Sequence, residues 1–133
     1  MEIPNILTVD DDPDIRIALM DLLSHDGYAV TVVGTGQAAL DLSEHHQFHA
    51  VILDLGLPDR DGFDVLTQML TREPDLPIII LTAFAPLEQY IIHQEQNRVF
   101  AFLTKPFDRK VLKDTLRRAV QTRGPLCTGE KIS

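Results

Sequence analysis

The sequence has no tryptophan, a single cysteine and fewer basic than acidic residues. Because Cys127 has no partner in the chain and no Cys/His group has the spacing of zinc ligands, a disulfide scaffold and a zinc module are both excluded. The 12 Lys and Arg against 20 Asp and Glu give a net charge of -8. So acidic a chain is unsuited to non-specific binding of nucleic acid or of an anionic membrane, since both require a positive surface.

Long hydrophobic runs are also absent. No window reaches the roughly 18 apolar residues that a transmembrane helix requires, and the amino terminus lacks the basic and apolar stretches of a secretory signal. We therefore expect a cytoplasmic protein with no membrane partner. The length of 133 residues and the hydrophobic fraction of 44% suit a single domain whose core needs no disulfide or structural metal.

Five short β-type runs alternate with segments of helical periodicity. Short apolar runs are typical of strands buried on both faces, whereas apolar residues three and four positions apart are typical of amphipathic helices. The predicted strands cover 6–9, 28–33, 50–53, 78–81 and 100–103, and the predicted helices cover 15–23, 37–43, 63–70, 85–99 and 111–120. The helix at 85–99 has the weakest pattern and no clear end.

Strands that alternate with helices through short connections predict an α/β domain with a parallel sheet and helices on both faces. We expect this domain at 4–121 and a linker or disordered tail at 122–133, where Gly124 and Pro125 lie. In such sheets ligands bind beyond the carboxyl ends of the strands. The residues at those ends are therefore the candidates for chemistry.

Acidic residues follow two of the predicted strands at this edge. A lone carboxylate at such a position is usually a helix cap, and Asp12 directly before Pro13 fits that role. Several carboxylates close together repel one another unless a cation compensates them. The polar residues at the strand ends are Asp10, Asp11, Asp12, Asp54, Thr82 and Lys105.

These residue types fit phosphoryl chemistry with Mg²⁺. The ion prefers oxygen ligands and is usually bound by one or two carboxylates, which Asp11 and Asp54 provide. A carboxylate beside such an ion also acts as a nucleophile towards a phosphoryl group and forms an acyl phosphate. Lys105 and the hydroxyl of Thr82 are suited to stabilise the charge on the phosphoryl oxygens.

Four motifs occur at these strand ends, in order along the chain. They are VDDDP at 9–13 with Arg16, LDLGLPDRDG at 53–62, LTA at 81–83 and LTKPF at 103–107. Each is weak alone, but the combination resembles the receiver domain of bacterial two-component response regulators, over roughly residues 4–121. The resemblance implies a single flavodoxin-like (βα)5 domain with strand order 2-1-3-4-5.

The resemblance also implies the roles of the acidic residues. Asp54 is then the phosphoacceptor, and Asp10 and Asp11 form an acidic pair beside it. Mg²⁺ would be held by Asp11, Asp54 and the backbone carbonyl of Gly56.

Further roles implied by the resemblance fall on the last two strand ends. Thr82 and Lys105 would bind the phosphoryl oxygens, and the Lys105–Pro106 peptide bond would be cis. In this family phosphorylation draws the threonine inward, and an aromatic side chain turns into the vacated space. Thr82 and Phe102 would form that switch here; the alternative is that Phe102 is simply a core residue.

The output surface implied by the resemblance comprises segment 85–99, the fifth strand and the last helix, and a homodimer would use the same surface. The sequence departs from the family pattern in this region. Thr82 and Lys105 lie 23 positions apart, one more than usual, and Arg98-Val99 replaces the usual Gly-Ala pair. We therefore expect an unusual loop or an altered helix within 85–99.

Two positions in receivers set the lifetime of the phosphoryl group. Here they are Gly56, which has no side chain to orient an attacking water, and Phe84, which is suited to shield the acyl phosphate. We expect slow self-dephosphorylation.

The expected phosphoryl donor is a histidine kinase or a histidine phosphotransfer protein, and no direct contact with nucleic acid is expected. The chain itself would catalyse only its own phosphorylation and dephosphorylation. We expect either a stand-alone receiver or one cut from a longer regulator or hybrid kinase. In the second case an output domain would follow residue 121.

Two alternative functions fit parts of the same sequence. A haloacid-dehalogenase-like phosphatase needs an acid two residues after its nucleophile, where this chain has Gly56. A receiver-like module that binds its partner without phosphorylation is the main alternative. The five histidines are interpreted as surface residues rather than as metal ligands: His25, His45, His46, His49 and His93.

Overall fold

A computed structural model of the chain describes residues 3–83 and 99–124. Within these ranges five parallel strands form one sheet in the order β2-β1-β3-β4-β5, so the predicted strand order is confirmed. The strands are β1 (Asn5–Val9), β2 (Ala29–Val33), β3 (Ala50–Leu53), β4 (Ile78–Thr82) and β5 (Ala101–Thr104).

Each helix in the described ranges begins directly after a side chain that caps it. The side-chain oxygens of Asp12, Thr35, Asp61 and Asp108 accept backbone N–H groups of the first turns, which have no partner within the helix. The cap expected at Asp12 is therefore confirmed. The helices are α1 (Pro13–His25), α2 (Gly36–His45), α3 (Gly62–Arg72) and α4 (Arg109–Arg123).

The sheet separates two core layers. The three central strands are buried along nearly their whole length, which explains their unbroken apolar runs. Alternate residues of these strands face opposite sides, so that Leu7 packs in the layer under α2 and α3 and Ile6 in the layer under α1 and α4. The edge strands β2 and β5 are only partly buried.

The last helix extends further than the sequence pattern indicated. It ends at Arg123, two residues beyond the predicted domain boundary at 121. The guanidinium of Arg123 forms a largely buried ion pair with Glu73 at the end of α3. That pair ties the last turn of α4 to the body of the domain, although no apolar residue there signals a helix.

Several sequence predictions lie outside the described residues. They are the helix or unusual loop at 85–98, with Phe84, His93 and Arg98, and the tail from 125 onwards. Among the helices within 3–83 and 99–124, none is both long and apolar enough to cross a membrane.

The interpretation of the histidines as surface residues is wrong for His49. It is only 4% exposed, and its Nδ1 accepts the backbone N–H of Asn5 at 2.9 Å. An imidazole can satisfy a backbone donor in this way, so its polarity does not keep it at the surface. The remaining histidines of the described ranges, His25, His45 and His46, are exposed.

The Thr8 hydroxyl generates a stability prediction. Thr8 is fully buried in β1, and its Oγ1 has no hydrogen-bond partner in the described part of the chain. Because an unpaired buried hydroxyl is costly, Thr8→Val should raise the free energy of unfolding by about 1 kcal/mol in urea denaturation. Thr115→Val is the matched control, since the buried Thr115 hydroxyl donates to the Val111 carbonyl at 2.7 Å. A loss of stability in Thr8→Val would contradict the prediction.

Candidate functional site

The carboxyl ends of β1, β3, β4 and β5 bring the predicted site residues together. Asp10 directly follows β1, Asp54 follows β3, Thr82 ends β4 and Lys105 follows β5. The sheet continues into the site, because the Asp54 N–H donates to the Val9 carbonyl at 2.9 Å and the Lys105 N–H to the Thr82 carbonyl at 3.0 Å. The backbone of Asp54 and Lys105 is therefore hydrogen-bonded to the neighbouring strands, which fixes the positions of their side chains.

Three carboxylates converge at this edge. Asp10, Asp11 and Asp54 each place an oxygen within 4.8 Å of the others. Asp10 is 2% exposed and Asp54 is 5% exposed, whereas Asp11 lies on the exposed side of the group. Three close carboxylate oxygens with one accessible side are a donor set that fits a hard divalent cation such as Mg²⁺.

Lys105 neutralises part of this negative charge. Its Nζ lies 2.7 Å from Asp10 Oδ2 and 2.8 Å from Asp54 Oδ2. Burial alone would lower the pKa of Lys105, but the bonds to the two carboxylates outweigh it and raise the pKa. Lys105 is therefore held as an ammonium between the two buried carboxylates.

The remaining oxygen of each buried carboxylate accepts a backbone N–H. Asp10 Oδ1 accepts from Asp12 at 3.0 Å, and Asp54 Oδ1 accepts from Gly56 at 3.0 Å. Each carboxylate is thus fixed by Lys105 on one side and by its own loop on the other. This pairing fixes the orientation of both carboxylates.

Arg16 is a further support of the site, although the sequence indicates it only as part of a motif. Its Nη1 donates to the Asp10 carbonyl at 2.8 Å. The guanidinium passes over Gly34, where a Cβ would lie 2.8 Å from the same nitrogen. Glycine at position 34 therefore leaves the space that Arg16 needs to hold the first loop.

Gly62 brings the first turn of α3 against the loop that follows Asp54. A Cβ at position 62 would lie 2.4 Å from the Cα of Leu55. Any side chain would push these two backbone segments apart. The glycine of the sequence motif is thus explained by a close approach, which no local sequence pattern specifies.

The two residues of the predicted switch lie on neighbouring strands. Thr82 is fully buried, and Phe102 is partly buried on β5, where it pairs in register with Ile80 of β4. Phe102 packs against the layer under α2 and α3, whereas Phe107 packs against the opposite layer. The peptide bond between Lys105 and Pro106 is cis, the isomer that the resemblance implies.

Because Asp10 is buried, we expect its ionisation to make the stability of the domain depend on pH. Burial raises the pKa of Asp10, and the hydrogen bonds from Lys105 and from the Asp12 N–H offset this only in part. A raised folded-state pKa means that stability falls as the pH rises from about 4, the ordinary value in unfolded chains, through the folded value. Asp10→Asn lacks this loss, so the metal-free variant should be more stable than the wild type at pH 7.

The measurement is urea denaturation with a chelator between pH 4.5 and 7. The stability advantage of Asp10→Asn should shrink towards the acidic end, where Asp10 of the wild type also becomes protonated. Asp12→Asn is the control, since Asp12 is exposed and asparagine also caps helices. An advantage independent of pH would contradict the assignment of the effect to Asp10 ionisation.

The chain is similar in sequence to known proteins. Residues 6–117 match the family model described as response regulator receiver domain. The chain is 31% identical to sporulation initiation phosphotransferase F of Bacillus subtilis, over 85% of the chain and 90% of that protein. The chain is also 31% identical to transcriptional regulatory protein GlrR of Escherichia coli. That match covers 91% of this chain but only 27% of the length of the relative.

Solved structures agree with the sequence matches. A CheY-like response regulator receiver domain protein of Methanospirillum hungatei superposes with a TM-score of 0.85 at 25% identity, covering 92% of this chain and 97% of the other. Response regulator protein TrrA of Thermotoga maritima, solved in complex with Mg²⁺–BeF, gives a TM-score of 0.80 at 27% identity, covering 88% of this chain and 99% of the other. The chain belongs to the response regulator receiver domain family of two-component systems.

Proposed function

We propose that this chain is a phosphoacceptor in which Asp54 takes a phosphoryl group from a histidine kinase or a histidine phosphotransfer protein, with Mg²⁺ bound. The observation that carries the proposal is the environment of Asp54. Its carboxylate is buried at the end of β3, touches the ammonium of Lys105 at 2.8 Å and belongs to a group of three converging carboxylates. The similar protein TrrA, solved with Mg²⁺–BeF, supports a phosphoryl site with Mg²⁺.

The transfer is a displacement at phosphorus. An oxygen of the Asp54 carboxylate forms the new O–P bond while the P–N bond to the imidazole of the donor breaks, and the electron pair of that bond stays with the imidazole nitrogen. Asp11, Asp54 and the Gly56 carbonyl would hold Mg²⁺, and the ion would supply charge that neutralises the phosphoryl oxygens. The product is an aspartyl phosphate on Asp54.

Lys105 is already in place for this step. Its ammonium contacts Asp54 directly, so it can bind a phosphoryl oxygen on that residue without a large movement. The Gly56 N–H donates to Asp54 Oδ1 and orients the carboxylate. The Thr82 hydroxyl, fully buried at the adjacent strand end, is the group proposed to take a second phosphoryl oxygen.

The phosphoryl group is proposed to act through Thr82 and Phe102. The movement of Thr82 towards the phosphoryl group would favour the inward rotamer of Phe102, which shifts the population of the output surface. The described part of that surface consists of β5 and α4. An output domain beyond residue 121 and a homodimer through this surface are proposed as the readers of the change.

The first prediction from this function concerns the phosphoacceptor. Incubation of the wild type with acetyl phosphate and Mg²⁺ should add one phosphoryl group by intact-mass analysis. Asp54→Asn, or addition of a chelator, should abolish the gain, because each removes a required part of the site. Asp12→Asn carries the same change of charge in the neighbouring loop and should be phosphorylated normally.

Two results would contradict the phosphoacceptor proposal. Modification of Asp54→Asn to the same extent would place the acceptor elsewhere. No gain in the wild type, together with no binding of beryllofluoride, would favour the receiver-like module that binds its partner without phosphorylation.

The second prediction concerns the lifetime of the phosphoryl group. Gly56 has no side chain that could orient a water molecule, and its φ is not positive, so the backbone accepts other residues. Gly56→Asn should shorten the half-life of the aspartyl phosphate by up to about 10²-fold, the lower end of what a positioned polar group contributes. The measurement follows the phosphorylated mass over time after removal of acetyl phosphate, with Gly56→Ala as the control. A lifetime of seconds in the wild type would refute the expectation.

A further inference from the structure

The carboxylate of Asp59 is bound to a helix that the proposed chemistry does not involve. Its Oδ1 accepts the backbone N–H of Gly36 at 2.9 Å, and its Oδ2 accepts the N–H of Gln37 at 3.0 Å. These two bonds span 23 and 22 residues of sequence and join the loop after β3 to the first turn of α2. They also lower the pKa of Asp59, so the carboxylate is ionised at neutral pH.

Neighbouring residues of the same loop contact the same helix end. Arg60 Nη1 donates to the side-chain oxygen of Gln37 at 2.8 Å. The side chain of Leu57 lies over Gly36, where a Cβ would be 3.4 Å from its Cδ1. Residues 57–60 are thus held as a unit against the beginning of α2.

The first turn of α2 is a fixed point. Ala39 and Leu40 bury this helix in the core layer that it shares with α3. At Gly36 the two helices approach so closely that a Cβ would lie 2.8 Å from the Val65 side chain. A loop bound to this turn therefore has a defined position relative to the sheet.

The other end of the loop lies in the phosphorylation site. Gly56 donates its N–H to Asp54, and its carbonyl is the backbone ligand proposed for Mg²⁺. Only Leu57 and Pro58 separate Gly56 from Asp59. A backbone carbonyl has no side-chain rotamer to adjust, so its direction depends on how the segment is held further along.

We propose that Asp59 is a positioning residue, which sets the direction of the Gly56 carbonyl for Mg²⁺ by tying its loop to the first turn of α2. This inference rests on the proposed function, since it concerns the same ion. It goes beyond that function by making α2 part of the support of the site.

The alternative role for Asp59 is only to cap α2, and the structure offers a control that separates the two. Thr35 caps the same helix independently, because its Oγ1 accepts the Ala38 N–H at 3.1 Å. Thr35→Ala removes a cap from α2 but leaves the loop bound to it. Asp59→Ala removes both the cap and the attachment of the loop.

A second control separates position from charge. Asp61 lies in the same loop and is exposed, and asparagine can replace it as the cap of α3. Asp61→Asn therefore removes the same charge as Asp59→Asn at a similar place. Asp59→Asn keeps one acceptor oxygen for one of the two bonds.

The experiment titrates MgCl₂ into the ¹⁵N-labelled chain and follows the amide signals of Asp11 and Gly56, which report the Kd without any phosphoryl donor. Asp59→Ala should raise the Kd by about tenfold, as residues that orient metal ligands do. Asp59→Asn should give an intermediate Kd, while Thr35→Ala and Asp61→Asn should match the wild type.

An unchanged Kd in Asp59→Ala overturns the proposal. Equal effects of Asp59→Ala and Thr35→Ala would reduce Asp59 to a helix cap, and equal effects of Asp59→Asn and Asp61→Asn would reduce it to a charge. If Asp59→Ala does not fold, a wild-type Kd in Asp59→Asn refutes the proposal. No binding of Mg²⁺ by the wild type would instead overturn the proposed function, which distinguishes the two failures.

Discussion

The contact of one ammonium with two buried carboxylates is the interaction on which the site depends. Lys105 lies within 2.8 Å of both Asp10 and Asp54 and so links the ends of β1, β3 and β5. Without a cation these carboxylates would repel each other in a position that water hardly reaches. The pKa of Asp10 is raised even with Lys105 present, so the lysine compensates the buried charge only in part. The incomplete compensation is what leaves the site suited to a further cation.

This unfavourable charge is confined to the edge of the sheet. Below it, the central strands are buried in two apolar layers. The burial of this apolar surface offsets the unfavourable free energy of the buried charges. The Asp54 N–H still pairs with the Val9 carbonyl, so the ladder reaches the residue that is proposed to react. A rigid sheet that carries these mutually repelling carboxylates at its carboxyl edge explains how they stay close together.

The sequence predicted the features that depend on local pattern. Buried central strands follow from their apolar runs, and the cap at Asp12 follows from its position directly before a helix. It did not predict the burial of His49, the extension of α4 to Arg123 or the attachment of Asp59 to α2. Each of these rests on a partner far away in the chain, respectively Asn5, Glu73 and Gly36. No window of neighbouring residues carries that information, whereas the strand-end residues were found because the topology itself brings strand ends together.

Asp54 is therefore held from two directions that belong to different parts of the fold. One oxygen contacts Lys105, which follows β5, and the other accepts the N–H of Gly56, whose loop is bound to α2. A phosphoryl group on this carboxylate would change the charge at the point where both connections meet. The connection through Lys105 leads to the edge strand that carries Phe102, while the connection through the loop ends on a helix buried against α3. Since β5 is only partly buried and α2 is fixed in the core, the side of β5 is the one that can yield to the new charge.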